Sequence, residues 1–381
     1  VQHLPTPLRF LPPPIPAQKN KFPKYFRTPS GTGGVFCFIL SPIAMRKKII
    51  WTILLLLVFI GGFLAWQVFG PTVSAPAEKY FYIRTGSSYA DVKESLTETK
   101  IISSPYFFDL LAKQVKYNRS VKAGRYAIKQ GMSLLSLVRM LRSGNQAPVN
   151  LVITKLRTKE DLAARLGNSF EADSARFSAL LYNSEWWKQY QLDSNTLMTS
   201  IIPNTYTFLW NTSPEKVLAK LEKEKEKFWN EERRGKARNM NLNPEQVYTL
   251  ASIVEEETNK DEDKGKIASV YLNRFHNNMK LQADPTVKYA LRNFALKRVR
   301  EKHIAVASPY NTYQNLGLPP GPICTPSAKT IDAVLNAPAT NYLFFVAKPD
   351  WSGLSNFAQS YDEHLVYAKS YQRFLDSVNI K

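Results

Sequence analysis

Cysteine is almost absent: Cys37 and Cys324 are the two thiols in 381 residues. Two thiols exclude a disulfide-stapled scaffold and a cysteine-built zinc centre. Histidine is nearly as scarce. His3, His276, His303 and His364 form no HExxH or paired spacing, which argues against a histidine-rich metalloenzyme. No metal or cofactor is expected. Acid is also in deficit, with 31 Asp and Glu against 51 Lys and Arg, a net charge of +20. With 44% apolar and 22% charged residues the chain has the composition of a folded protein, with room for two or three domains.

The basic excess is unevenly spread. Residues 1–48 hold eight basic residues and no acid, together with six prolines between Pro5 and Pro16. Met45 is the first methionine, and Met45-Arg46-Lys47-Lys48 leads directly into an apolar run. Residues 1–44 are therefore expected to be an upstream extension or a disordered cytoplasmic tail.

Ile49 to Phe69 runs for 21 residues without a charge, with Trp51 and Trp66 near its ends. About 20 apolar residues cross a bilayer as a helix, because helical backbone groups satisfy one another without water. Ala75-Pro76-Ala77 fits an A-x-A cleavage pattern, but the run exceeds the usual signal-peptide core of about 7–15 residues. An uncleaved anchor over 45–70 is expected, with its basic flank in the cytoplasm. Everything beyond residue 70 would then face outward, which makes nucleic acid a poor partner.

Residues 71–78 read as a Pro/Ala linker. Within 79–150, Tyr80–Ile83 reads as a strand, Gly86-Ser87-Ser88 as a turn and helix cap, and Ala123–Tyr126 as a return strand. Two further helices carry Phe107–Val115 and Leu134–Leu141, the second ending at Gly144. Strand, capped helix and strand resemble a LysM module, a glycan-binding unit. This stretch holds twelve basic residues and four acids, a net +8. Residues 151–240 form a connecting region with a short strand at Leu151–Ile153, a helix from Lys159 and a turn at Ile202–Tyr206. A long charged helix then opens at Ser213-Pro214-Glu215 and continues to about Arg234 as a solvent-facing spacer.

Another helix opens at Asn243-Pro244-Glu245. Val247, Leu250, Ala251 and Val254 form its apolar stripe. At about 100° per residue, Glu257 lies roughly 70° from the stripe's centre and Glu256 nearly opposite it, facing water. Counting Ile253 as buried moves the stripe toward Glu257 and away from Glu255, although these two are separated less cleanly. A carboxyl at the rim of a core is partly desolvated. Glu255, Glu256, Asp261, Glu262 and Asp263 add negative charge, and a helix C-terminus disfavours more of it. A carboxyl kept protonated near neutral pH suits general-acid cleavage of a glycosidic bond. The alternative is a solvated acidic helix end.

Downstream, Leu281–Thr286, Ser308–Tyr313 and Gly317–Pro322 are Pro-bounded loops rich in amide, hydroxyl and aromatic groups. Such groups match sugar hydroxyls and ring faces; they also serve as ordinary turn and core residues.

Ala251-Ser252-Ile253-Val254-Glu255-Glu256-Glu257-Thr258, Leu281–Val287, Tyr310-Asn311-Thr312-Tyr313 and Gly317–Ile323 together resemble the endolytic murein transglycosylase (MltG, YceG-like) family. Lys122-Ala123-Gly124-Arg125-Tyr126 and the N-terminal anchor agree, so the resemblance covers about residues 45–381. It implies an α+β protein with a single transmembrane helix, a LysM-like subdomain and a mixed α/β catalytic domain over 241–381. The implied activity is lytic cleavage of peptidoglycan to 1,6-anhydro ends, in the cytoplasmic membrane of a bacterium with the catalytic region outside. Nascent glycan strands are the implied substrate, with peptidoglycan synthases (penicillin-binding proteins) as candidate partners. The family's catalytic glutamate falls on Glu257. Gln282, Asp284, Asn311 and Tyr313 are candidates for binding substrate. Asn204 stands where the family often has an acid, and is read as a turn residue. The alternative reading is a membrane-anchored, glycan-binding scaffold without catalysis.

Overall fold

The structure, a computed structural model, describes residues 42–377. The expected extension over 1–44 lies outside them except for Pro42–Ala44. Helix α1, Pro42–Phe69, begins upstream of the uncharged run. Its Met45–Phe69 stretch of 25 residues is long and apolar enough to cross a membrane, spanning about 37 Å at 1.5 Å per residue.

Beyond α1 the chain builds three hydrophobic cores in sequence order. The first holds β1 (Phe81–Ile83), α2 (Tyr89–Glu98), α3 (Pro105–Gln114), β2 (Gly124–Tyr126) and α4 (Leu134–Ser143). Strand β1 pairs antiparallel with β2, setting Tyr82 opposite Arg125. Phe81 and Ile83 point into the core and Tyr82 points out, as strand alternation requires. Ser88 closes a capping box on α2, and Gly144 ends α4 at φ 72, a left-handed cap that favours glycine.

The second core holds β3 (Val149–Val152), α5 (Lys159–Gly167), α6 (Ser174–Leu181), α7 (Ser184–Lys188), β4 (Thr205–Phe208) and the inner face of α8 (Pro214–Phe228). The turn expected over 202–206 opens into β4, which pairs antiparallel with β3. The long charged helix is two helices: α8 stops at Phe228, and α9 (Glu231–Asn239) starts after an Asn230 cap. Nor is α8 a solvent-facing spacer. Val217, Leu218 and Leu221 are buried, and so are Glu222 and Lys225, paired at 3.2 Å. Ser213 occupies the N-cap position without a side-chain hydrogen bond; Pro214 supplies the helical start instead.

The third core is built around α10 (Pro244–Glu257), packed by α9, α11 (Asp261–His276), α12 (Asp284–Ala290) and α14 (Ala328–Leu335). Helix α13 (Glu301–Ile304) precedes α14, and a β5–β6 hairpin (Phe344–Ala347, Ser355–Ala358) and α15 (Tyr361–Ser377) follow it. This core also draws in Ile202, Trp229 and Ala237, so its packing reaches upstream of residue 241.

Candidate active site

Helix α10 begins with a capping box between Asn243 and Gln246 and Pro at its first turn, which satisfies free N–H groups and presets φ. Every residue from Val247 to Val254 is buried. The expected one-sided stripe is therefore too narrow, since Tyr248, Thr249, Ser252 and Ile253 fill the remaining faces. The C-terminal turn that follows is half-buried, and each of its three glutamates has different partners.

Glu255 turns toward α14. It accepts hydrogen bonds from Ser327 Oγ at 3.2 Å and from Thr330 Oγ1, with Lys264 Nζ at 3.5 Å. Glu256 does not face water. Arg157 holds it with Nε at 3.0 Å and Nη2 at 2.9 Å, and Lys155 Nζ stands 3.3 Å away. Glu257 has no cation within ion-pair distance among the described residues. Its Oε1 accepts a hydrogen bond from Tyr271 Oη at 2.6 Å.

Burial raises the Glu257 carboxyl from 4.5 to about 7, because a charge in an apolar wall loses its hydration. The Tyr271 hydrogen bond and the more distant Lys288 pull it down, while Asp284 and Glu256 push it up. Burial comes first, and of the expected crowd of acids Glu256 adds to it. Asp261 pairs with Lys264 and Lys329, and Asp263 accepts from Ser355 N. Tyr271 is itself held well above the ordinary phenol range by burial and by Glu257, so it remains a donor.

Glu257 lines a cleft of about 370 Å³ with Tyr271, Arg274, Gln282, Asp284 and Tyr313. Asp284 opens α12, and its Oδ1 accepts from Tyr313 Oη at 2.6 Å. Burial and Asp284 both raise the Tyr313 phenol. Gln282 adopts φ 54, a left-handed conformation costly for a residue with a side chain. It is held there by its N–H donating to Thr312 O at 3.1 Å and by Arg274 Nη1 donating to its Oε1 at 3.1 Å. Thus Glu257, Gln282, Asp284 and Tyr313 come together in the lining of one cleft.

Asn311 does not join them. It is fully buried, its amide donates to Ile304 O at 2.9 Å and Val306 O at 2.8 Å, and its Oδ1 accepts from Tyr313 N at 3.0 Å. With its donors and acceptor engaged, it shapes the loop that carries Tyr313. Asn204, as expected of a turn residue, accepts from Thr205 N at 2.7 Å.

Arg274 escapes a motif search. Buried on α11, it donates to Leu343 O at 2.8 Å, Lys280 O at 3.1 Å and Leu281 O at 2.9 Å, joining α11, the 280–282 loop and the residue that leads into β5. Its guanidinium lies 4.9 Å from the Phe344 ring. Phe344, Tyr361 and His364 also line the cleft, with the Phe344 and His364 rings stacked at 5.3 Å. One available signal was helical spacing: Tyr271 and Arg274 sit one turn apart on a helix with a mixed buried face. Phe344, Tyr361 and His364 left no such signal, because the hairpin and α15 bring them in from over 70 residues downstream.

The cleft mixes aromatic and apolar groups with polar ones and contains a carboxyl whose proton affinity burial raises toward neutral pH. That combination can bind a saccharide and deliver a proton to it. The YceG-like family model matches residues 81–370. A Bacillus subtilis protein named endolytic murein transglycosylase is 28% identical over 336 residues, covering 82% of this chain and 91% of that protein. A Streptococcus pneumoniae protein of the same name is 27% identical over 353 residues, with 82% of this chain and 62% of that protein covered. The crystal structure of a YceG-like protein from Listeria monocytogenes superposes with a TM-score of 0.51 at 28% identity, covering 75% of this chain and 98% of that one.

Proposed function

The chain belongs to the YceG-like family, and we propose that it is a lytic transglycosylase that cuts the glycan strands of bacterial peptidoglycan. The observation that carries this reading is the contrast within one helical turn. Glu255 and Glu256 are each held by a cation, whereas Glu257 meets a phenol and an open cleft.

Because Tyr271 occupies Oε1, the Glu257 proton resides on Oε2. From there it passes to the oxygen joining N-acetylmuramic acid C1 to N-acetylglucosamine, and that C–O bond breaks. The resulting carboxylate takes the proton of the muramic acid 6-hydroxyl, whose oxygen bonds to C1. The products are a 1,6-anhydro end and a free 4-hydroxyl. Glu257 regains its proton and no water is consumed. The nucleophile belongs to the substrate, so a second catalytic carboxylate is unnecessary. Asp284, steered by Tyr313, is suited to stabilising positive charge at C1 in the transition state. Gln282, fixed by Arg274, offers an amide to a sugar hydroxyl or N-acetyl group.

Residues 45–70 anchor the chain, with Arg46, Lys47 and Lys48 on the cytoplasmic side, and the cleft works outside, terminating or releasing nascent strands beside peptidoglycan synthases. The antiparallel β1–β2 pair enclosing α2 and α3 supports a LysM-like, glycan-holding unit ahead of the cleft.

The test uses full-length protein in detergent with purified uncross-linked glycan strands. Mass spectrometry is expected to show 1,6-anhydro-muramic ends that Glu257→Gln abolishes. Reducing ends would mean hydrolysis. Binding without any cleavage would favour the scaffold reading.

A further inference from the structure

Far from the Glu257 cleft in the chain, the outward face of the β1–β2 sheet meets the second core across a cavity of about 540 Å³. Phe81 and Ile83 face inward, so alternation turns Tyr82 outward, where it remains 38% exposed. Trp210, just beyond β4, meets the Tyr82 ring at 4.9 Å between centroids and 59° between planes. Arg84, Arg125, Asn150, Asn168 and Ser169 complete the polar lining, and Glu78 is the single acid.

The junction is held in place by hydrogen bonds from both sides. Glu171 accepts from Thr85 N and Thr85 Oγ1, both at 2.6 Å, and its own N–H donates to Trp210 O at 3.0 Å. One residue thus ties the end of the β1 strand to the segment bearing Trp210. Gln146 Nε2 bridges Ala123 O at 3.0 Å and Asn211 Oδ1 at 3.3 Å. Arg125 lies with its guanidinium 4.0 Å from the Tyr80 ring, donating from Nε to Ala147 O at 3.3 Å and from Nη2 to Pro148 O. Its Nη1, like the whole of Arg84, has no protein acceptor among the described residues.

We infer that this junction is a second saccharide site, taking an amino-sugar unit that carries a carboxylate. A pyranose ring presents C–H groups that pack on the tilted Tyr82–Trp210 pair, as apolar faces do on aromatic rings. Asn150 and Asn168 offer amides to hydroxyl and N-acetyl groups. Arg84 and Arg125 pair with the carboxylate. The surrounding unit carries twelve basic residues against four acids, so its field favours an anionic strand. The site lies on the sheet face away from α2 and α3 and needs residues from both cores, so neither unit alone would form it. It rests on the reading above in taking the same polymer, in stretches free of stem peptide where the muramic carboxyl is ionised, while the cleft cuts elsewhere along it.

The test is titration calorimetry of full-length Glu257→Gln protein in detergent, with a tetrasaccharide of alternating N-acetylglucosamine and N-acetylmuramic acid. Two equivalents are expected, falling to one when Trp210→Ala is added; the retained equivalent reports the cleft and a folded chain. Arg84→Ala is expected to keep two equivalents while weakening one of them about tenfold. The uncharged chitin tetramer is expected to bind that site about tenfold more weakly than the muramic tetrasaccharide. Equal stoichiometry with and without Trp210, or equal affinity for the two tetrasaccharides, would overturn the inference. If the wild-type chain makes no anhydro ends but Trp210→Ala still removes one equivalent, the cleft reading fails and this site stands.

Discussion

Tyr271 Oη donates to Glu257 Oε1 at 2.6 Å, from α11 onto the last residue of α10. The bond is the largest influence opposing the burial that raises the Glu257 carboxyl to about 7. Tyr271→Phe removes the opposing contribution and leaves the burial. A hydrogen bond to a charged group contributes about 1.5–3 kcal/mol, equivalent to about one to two units of pKa. The alkaline limb of the rate profile is expected to move upward by about one unit, with turnover at pH 7 reduced as the proton becomes harder to release. An unmoved limb would show that Tyr271 does not act on Glu257.

Glu257 also predicts a pH-dependent stability. Its folded value, about 7, lies above 4.5. Below about pH 4.5 both folded and unfolded states hold the proton. Between 4.5 and 7 the unfolded chain binds fewer protons, so stability falls as pH rises, and the full penalty is present above 7. Glu257→Gln carries no such penalty. Relative to the parent, the variant should gain about 2 kcal/mol between pH 4.5 and pH 8 after allowance for partial solvent contact, read from urea unfolding at the two pH values. A constant difference between the two proteins would contradict the buried carboxyl.

Arg274→Lys tests the strut behind the cleft. Arg274 donates to four acceptors on two segments, 280–282 and Leu343, and a lysine ammonium lacks the planar fork to reach them. Buried carbonyls left unpaired cost about 1–3 kcal/mol. The variant should unfold earlier and show a raised KM, because Gln282 loses its fixed orientation. A variant with KM unchanged and only stability reduced would limit Arg274 to structure.

For Asn311, the two roles separate cleanly. Asn311→Ala leaves Ile304 O and Val306 O without their donor, at a cost of about 1–3 kcal/mol in stability. The accompanying loss of activity should recover at lower temperature, as the loop carrying Tyr313 re-forms. A stable variant with a large, temperature-independent loss would instead mean that Asn311 contacts substrate.

Much was legible from local pattern. The Asn243 cap, the Ser88 cap, the Gly144 terminator and the uncharged helix each depend on neighbours within a few residues, and periodicity brought Glu257 to the rim of a core. The split between α8 and α9 was not legible, because Glu and Lys continue through Trp229 and Asn230 without a proline or glycine to mark a stop. Trp229, the C-cap of α8, is buried in the third core, and Asn230 caps α9.

The sequence by itself determined the apolar segment, the order of the motifs and the cluster of three glutamates at one helix end. Only the tertiary structure decided what each glutamate became. Arg157 lies 99 positions from Glu256, and Ser327 and Thr330 lie 72 and 75 positions from Glu255. Helical phase sets an angle, whereas a proton's affinity is set by hydration and charge within a few ångströms. Those neighbours arrive through chain reversals that no local pattern encodes, and they left Glu257 with a phenol, an apolar wall and an open cleft.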